Sequence, residues 1–220
     1  MKKALLKKLS LMFSEALSTT EIYVLFEPFY SKEEKDIYDE EHSNLDEHCK
    51  IVSEYASLIC DKLQLPEEEK RLIIAAACIH DIGKLNISPY ILNKPEALEK
   101  DEYEKFKEHA VIGANIIKRI TNHDIISNII RHHHERYDGR GYPDGLKGDE
   151  IPLGSQIIAI TGTFDTMISS SVYKDKLSVD TALEILIEEK DKQFNGRLVD
   201  LFIQEYLSSR YSHSDQTSGV

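Results

Sequence analysis

The run Leu72-Ile73-Ile74-Ala75-Ala76-Ala77 is apolar on every side of a helix and leads through Cys78-Ile79 into His80-Asp81. A helix without a polar face has to be buried, so the rest of the chain must wrap further elements around it. Pro66 and the glutamates after it mark the start, because proline suits the first helical turn and acids suit the positive end of the helix dipole. The far end delivers an aspartate to the interior, where an unpaired carboxylate costs on the order of several kcal/mol. Loop amides or a metal cation can each remove that cost.

The remaining sequence supplies the wrapping. Apolar residues recur at helical spacing over about 42–64, 99–119, 123–134, 155–170, 179–190 and 196–209. His48 shares a face with Val52, Ala56 and Ile59 in the first of these. Gly139, Gly141, Pro143, Gly145, Gly148, Pro152 and Gly154 exclude a helix between 135 and 155, and Gly83, Pro89 and Pro95 make 82–98 a second loop. No strand alternation and no internal repeat is visible. The expected fold class is therefore all-α, a multi-helix bundle with two functional loops. Its expected organisation is a helical appendage over 1–40, a main domain over 41–210 and a disordered tail over 211–220. The appendage carries an apolar stripe (Leu5, Leu6, Leu9, Met12, Phe13) suited to packing on the main domain or on a second copy, which admits a homodimer.

Composition narrows the partners. Apolar residues make up 41% of the 220, enough for a core. Acidic residues outnumber basic ones by 39 to 27, which argues against a DNA or RNA polymer or an anionic membrane as the general partner. No stretch approaches the roughly 18 apolar residues of a membrane span. Cys49, Cys60 and Cys78 form no CxxC pair and read as small buried hydrophobes in a reducing compartment. The expected location is the cytoplasm.

The chemistry concentrates in histidines. His132-His133-His134 follows the apolar Ile125, Ile126, Ile129 and Ile130. Adjacent helical residues point about 100° apart, so one or two of the three can face a common centre, and a bend at the helix end can bring two inward. Taken singly, each feature has a plain reading: an exposed histidine run, a helix-end aspartate bonded to amides, and His48 and His109 as core or surface residues. Together, one aspartate and several histidines from four helices suit a two-metal site for Fe, Mn or Zn. Two metals about 3.5–4 Å apart favour in-line attack on a phosphate ester, and Lys84 adds positive charge beside them. His42, His123 and His213 read as solvated.

The run Cys78-Ile79-His80-Asp81-Ile82-Gly83-Lys84 resembles the HD motif of the HD superfamily of metal-dependent phosphohydrolases. His133-His134-Glu135 followed by Gly141-Tyr142-Pro143 resembles the signature of its HD-GYP subfamily, and Ile91-Leu92-Asn93-Lys94-Pro95 and His109…Gly113 fit the same pattern. The resemblance covers about residues 45–208. It implies a helical HD-domain bundle with a GYP loop and a bi- or trinuclear site, usually of iron or manganese. The activity implied is hydrolysis of cyclic di-GMP to a linear dinucleotide or to GMP. The implied metal ligands are His48, His80, Asp81, His109, His133 and His134. Asp81 and Lys84 are the implied catalytic pair, and Tyr142, Lys174 and Arg136 the implied substrate contacts.

Three positions depart from that pattern. Gly162 stands where the family has its last metal-binding aspartate, Ser171 where it has a substrate-binding arginine, and Asn44 where three-metal members have a glutamate. Two metals at most are therefore expected, the first with one anionic ligand fewer. Asp165, one helical turn beyond Gly162, is the candidate substitute. Three readings follow: a phosphodiesterase with a compromised site, a module that binds nucleotide or docks on a partner such as a diguanylate cyclase, and a hydrolase for another phosphoester.

Overall fold

The computed structural model describes residues 35–169 and 176–214, with side chains for 47–119, 121–169 and 176–210. Its helices are α1 (Lys35–Lys62), α2 (Glu67–Ala77), α3 (Pro89–Leu92), α4 (Lys100–Thr121), α5 (Asp124–Arg131), α6 (Leu153–Ile168), α7 (Val179–Glu188) and α8 (Gly196–Ser214). Single 3-10 turns occupy Ile82–Asn86 and Gly148–Glu150. Among the described residues the only β-type pairing is one isolated bridge, Lys190 to Phe194. The all-α expectation holds. The anticipated boundary at 40/41 falls inside α1, and most of the appendage lies outside the described residues.

α2 is the hub. It packs against α1, α5 and α6, and its Ile73, Ala76 and Ala77 are buried. The alanines let neighbouring helices approach closely while still excluding water. Pro66 precedes its first turn with φ −53° and ψ 141°, and Glu67, Glu68 and Glu69 follow at the positive dipole end. Val52, Ala56 and Ile59 of α1, Ile130 of α5 and Ile157 and Ile160 of α6 complete the core around it, each at 0% exposure. Phe164, Phe202, Tyr206 and Tyr55 close the far end, with ring centroids 4.8–5.8 Å apart in mostly edge-on pairs.

One crossing decides where the site forms. A Cβ on Gly83 would lie 1.9 Å from the His109 carbonyl oxygen and 2.7 Å from the Gly113 nitrogen. Only glycine lets the turn after α2 press against α4 at this depth. That contact carries Asp81, two residues earlier, up to His109. No described helix is long and apolar enough to cross a membrane.

Candidate metal centre

Helix ends aim the donors. α2 stops at Ala77, and the His80 ring Nδ1–H donates to the Ala77 carbonyl at 2.8 Å. α5 stops at Arg131, and the His133 Nδ1–H donates to the Ile130 carbonyl at 2.6 Å. Carbonyls in the last turn of a helix have no partner inside it, so each histidine closes a helix end and is itself oriented. On α4, His109 Nδ1–H donates to the Phe106 carbonyl at 2.6 Å. A carbonyl can only accept, so all three rings carry their proton on Nδ1 and turn a lone-pair Nε2 inward.

The Nε2 atoms converge on Asp81, which is 2% exposed. Its Oδ1 lies 3.5 Å from His109 Nε2 and 3.8 Å from His133 Nε2. Its Oδ2 lies 3.5 Å from His80 Nε2 and 3.9 Å from His48 Nε2, with the Lys84 ammonium donating to it at 2.6 Å. His134 Nε2 is 3.1 Å from His109 Nε2. Two groups result, Asp81-His109-His133-His134 and His48-His80-Asp81, each with donor atoms within 4.8 Å of one another. Asp81 belongs to both, one oxygen toward each.

The electrostatics suit a cation. Burial pushes the His80 imidazole down to about 4 and holds His109, His133 and His134 below their ordinary range, so all four are neutral ligands at pH 7. Burial alone would raise Asp81, but the Lys84 ammonium, joined at acid pH by the His80, His109 and His133 rings as they protonate, holds it well below the usual carboxylate range. Asp81 Oδ1 and His133 Nε2 are buried without a hydrogen-bond partner. Such orphans are costly, and a divalent ion coordinated by both would satisfy them.

α6 forms the remaining wall, and here Asp165 differs from its candidate role. Its Oδ2 accepts the His48 Nδ1–H at 2.5 Å and its Oδ1 accepts from Ser169 Oγ at 2.9 Å. It stands behind His48, fixing that ring's tautomer, rather than joining either donor group. Gly162, one turn earlier, does face the centre: a Cβ there would meet His80 Nε2 at 4.0 Å and nothing closer.

The GYP loop folds over the other side. His132, the first of the triple run, leaves helical geometry at φ −106° and ψ 11°. It bonds Asn128 O and Asp144 through its two nitrogens, at 2.8 Å each, so it stays out of the centre while His133 and His134 turn in. Arg131 grips Asp144 bidentately at 2.7 Å. The buried Glu135 accepts from the Asp144 and Gly145 amides at 2.7 and 3.0 Å. A Cβ on Gly141 would lie 2.2 Å from Arg136 N, so the loop can fold back this tightly only with glycine there. Tyr142 then stacks on His134, with ring centroids 4.9 Å apart at 26°.

The other expected substrate contacts divide. Arg136 spends its donors on Asp138, Glu189 and Gln193 and ties the loop to the α7–α8 connection. Lys174 and Ser171 lie outside the described residues, as does the side chain of Asn44. Two residues that the sequence reading missed stand beside Tyr142. Tyr103 meets its ring edge-on at 6.4 Å, and Lys107 lies over both rings at 5.5 and 5.7 Å. Their i, i+4 spacing on α4 was visible, but nothing local marks that face as the one beside the loop. His123, read as solvated, is half-buried at the start of α5.

The HD-domain family model matches residues 32–198. The chain belongs to the HD-domain family. Its His133-His134 pair and Gly141-Tyr142-Pro143 loop give it the HD-GYP form of that domain. It is 37% identical over 176 residues to the cyclic di-GMP phosphodiesterase response regulator RpfG of Xanthomonas campestris pv. campestris, covering 77% of this chain and 47% of that protein. It is 32% identical over 173 residues to 3'3'-cGAMP-specific phosphodiesterase 2 of Vibrio cholerae, covering 76% and 33%. The HD-domain chain thus spans half or less of the length of these curated relatives. Among solved structures, a cyclic GMP-AMP specific phosphodiesterase of V. cholerae superposes with a TM-score of 0.60 at 19% identity, over 74% of this chain and 44% of that one. At that identity the likeness concerns the fold.

Proposed function

We propose that this chain is a metal-dependent phosphodiesterase that opens cyclic di-GMP to the linear dinucleotide or on to GMP, using two divalent transition metals, iron or manganese, with zinc as the third option. The observation that carries this reading is one buried carboxylate, Asp81, offering one oxygen to each of two histidine groups. Asp81, His109, His133 and His134 would hold one metal, and His48, His80 and Asp81 the other. The metals supply Lewis acidity, which acidifies water and offsets charge on the phosphoryl oxygens.

The chain's own residues do the positioning. Lys84 keeps Asp81 ionised and adds a positive charge where phosphoryl oxygens arrive. Burial and nearby Tyr103 push the Tyr142 phenol far above its usual range, so it stays protonated and can donate to a phosphate. Tyr103, 45% exposed, and the Lys107 charge above both rings give a surface suited to a nucleobase and its phosphate. The names of the relatives support a cyclic dinucleotide as the substrate class.

The test is hydrolysis of cyclic di-GMP by the metal-free protein reloaded with Mn or Fe, compared with a variant carrying both His80→Ala and Asp81→Ala. Turnover at least about a hundredfold above that variant is expected. Equal rates for the two proteins would overturn the reading. Gly162 favours a second reading, a module that binds the nucleotide without turning it over. Calorimetric binding of cyclic di-GMP by a metal-loaded protein that does not hydrolyse it would select that alternative.

A further inference from the structure

We propose that the notch at Gly162 is a binding site for a small external carboxylate, which completes the His48-His80-Asp81 group as a metal site. The inference rests on the metal-binding part of the proposed function and is independent of the substrate.

The notch is defined by what is near it. A Cβ built on Gly162 would have His80 Nε2 at 4.0 Å as its only close contact outside its own helix among the described residues. A carboxylate attached at that point would therefore reach into the donor group. An unattached carboxylate of a few heavy atoms can take the same space without the tether.

Among the described residues, neighbouring acids cannot fill it. Asp165 is the nearest along α6, but both its oxygens are engaged, by His48 Nδ1 and by Ser169 Oγ. Swinging it inward would strip His48 of the partner that sets its tautomer. Asp81 already serves the other group and accepts from Lys84.

Charge selects an anion over water. Asp81 is the one carboxylate of this group among the described residues, and its negative charge is shared between two metal positions and the Lys84 ammonium. A divalent ion held by His48, His80 and Asp81 leaves this side of the centre with excess positive charge. A monocarboxylate would offset that charge and add an oxygen donor, the ligand type suited to manganese. Metal and carboxylate would then raise each other's affinity, since binding linkage is reciprocal.

The experiment titrates the 220-residue, metal-free protein with Mn(II), read by calorimetry and by electron paramagnetic resonance of the free ion. It is run in sodium formate and in sodium chloride of equal ionic strength. Formate should strengthen the weaker class of Mn site by about 5-fold or more and leave the stronger class unchanged. Formate binding free Mn would act in the opposite direction. In Gly162→Asp, which carries its own carboxylate, and in Gly162→Leu, which fills the notch, the formate effect should vanish. Equal Mn affinities in formate and chloride for the wild type would overturn the proposal, as would an undiminished formate effect in both variants. Either result, with Mn bound and cyclic di-GMP hydrolysed, removes the notch and leaves the proposed function standing. Failure to bind any Mn would remove both.

Discussion

The two sides of the metal centre are built from the same kinds of residue and finished to different standards. The Asp81-His109-His133-His134 side has four protein donors, from the turn after α2, from α4 and from the end of α5, and the Gly83 contact presses that turn against α4. The His48-His80-Asp81 side has three among the described residues, and Gly162 borders it on α6. By the rule known for zinc, four protein donors would hold an ion more firmly than three. The first side would then be the closed one, retaining its ion, and the second the open one, exchanging it.

The most damaging way to break the comparison is to remove what the sides share. Asp81→Asn should abolish Mn retention on both sides after gel filtration and lower cyclic di-GMP hydrolysis by roughly 10²–10³-fold or more. Retention of one ion would mean that the sides do not depend on a common carboxylate. Filling the open wall tests the asymmetry itself. Gly162→Asp should tighten the weaker Mn class by on the order of 100-fold, given that outer-sphere changes alone move affinity about 10–100-fold. Metal analysis that finds the same stoichiometry and affinity in that variant would show that α6 does not border the second site. The support behind His48 comes next. Asp165→Asn should weaken only the open side, by about 10–100-fold, with the closed side's affinity unchanged in the same titration.

The last effect concerns acid. In the metal-free protein, burial holds His80 down to about 4 against 6.5 ordinarily, and His109, His133 and His134 are lowered too. The unfolded chain therefore takes up protons at these rings before the folded one does. Stability is full near neutral pH and is lost as pH falls from about 6.5 toward 4, by up to about 1.4 kcal/mol per pH unit per histidine. The lowered Asp81 adds a loss in the same direction below about 3.8. Urea midpoints at pH 7 and pH 5 measure the slope, and a flat profile would contradict neutral buried rings. Three of the four lowered rings sit on the closed side, so His134→Gln should flatten the profile measurably.

Local pattern made much of this legible. The apolar run before His80, the proline start of α2 and the glycines of the 135–155 loop are all local signals, and the helices fell close to where they placed them. The convergence of His48, His80, Asp81, His109, His133 and His134 was legible through resemblance. Asp165 was not, because its bond to His48 joins residues 117 positions apart, and a helical repeat says nothing about which distant ring an acid will meet. Helical spacing alone left the choice among the three consecutive histidines open; the resemblance selected His133 and His134, and the structure supplies the reason, since His132 leaves the helix there. Arg136 shows the limit from the other side: a cation in a signature loop was expected at the substrate, and its guanidinium is tied to Asp138, Glu189 and Gln193.

His80 and His133 each stop a helix through Nδ1 while presenting Nε2 to the centre. Swapping either for alanine would fray a terminus as well as delete a donor. An amide side chain that can still reach the Ala77 or Ile130 carbonyl retains the terminator and removes the imidazole. Secondary structure and ion affinity are thus written into the same two rings, and an ion bound at both Nε2 atoms would tie the ends of α2 and α5 together.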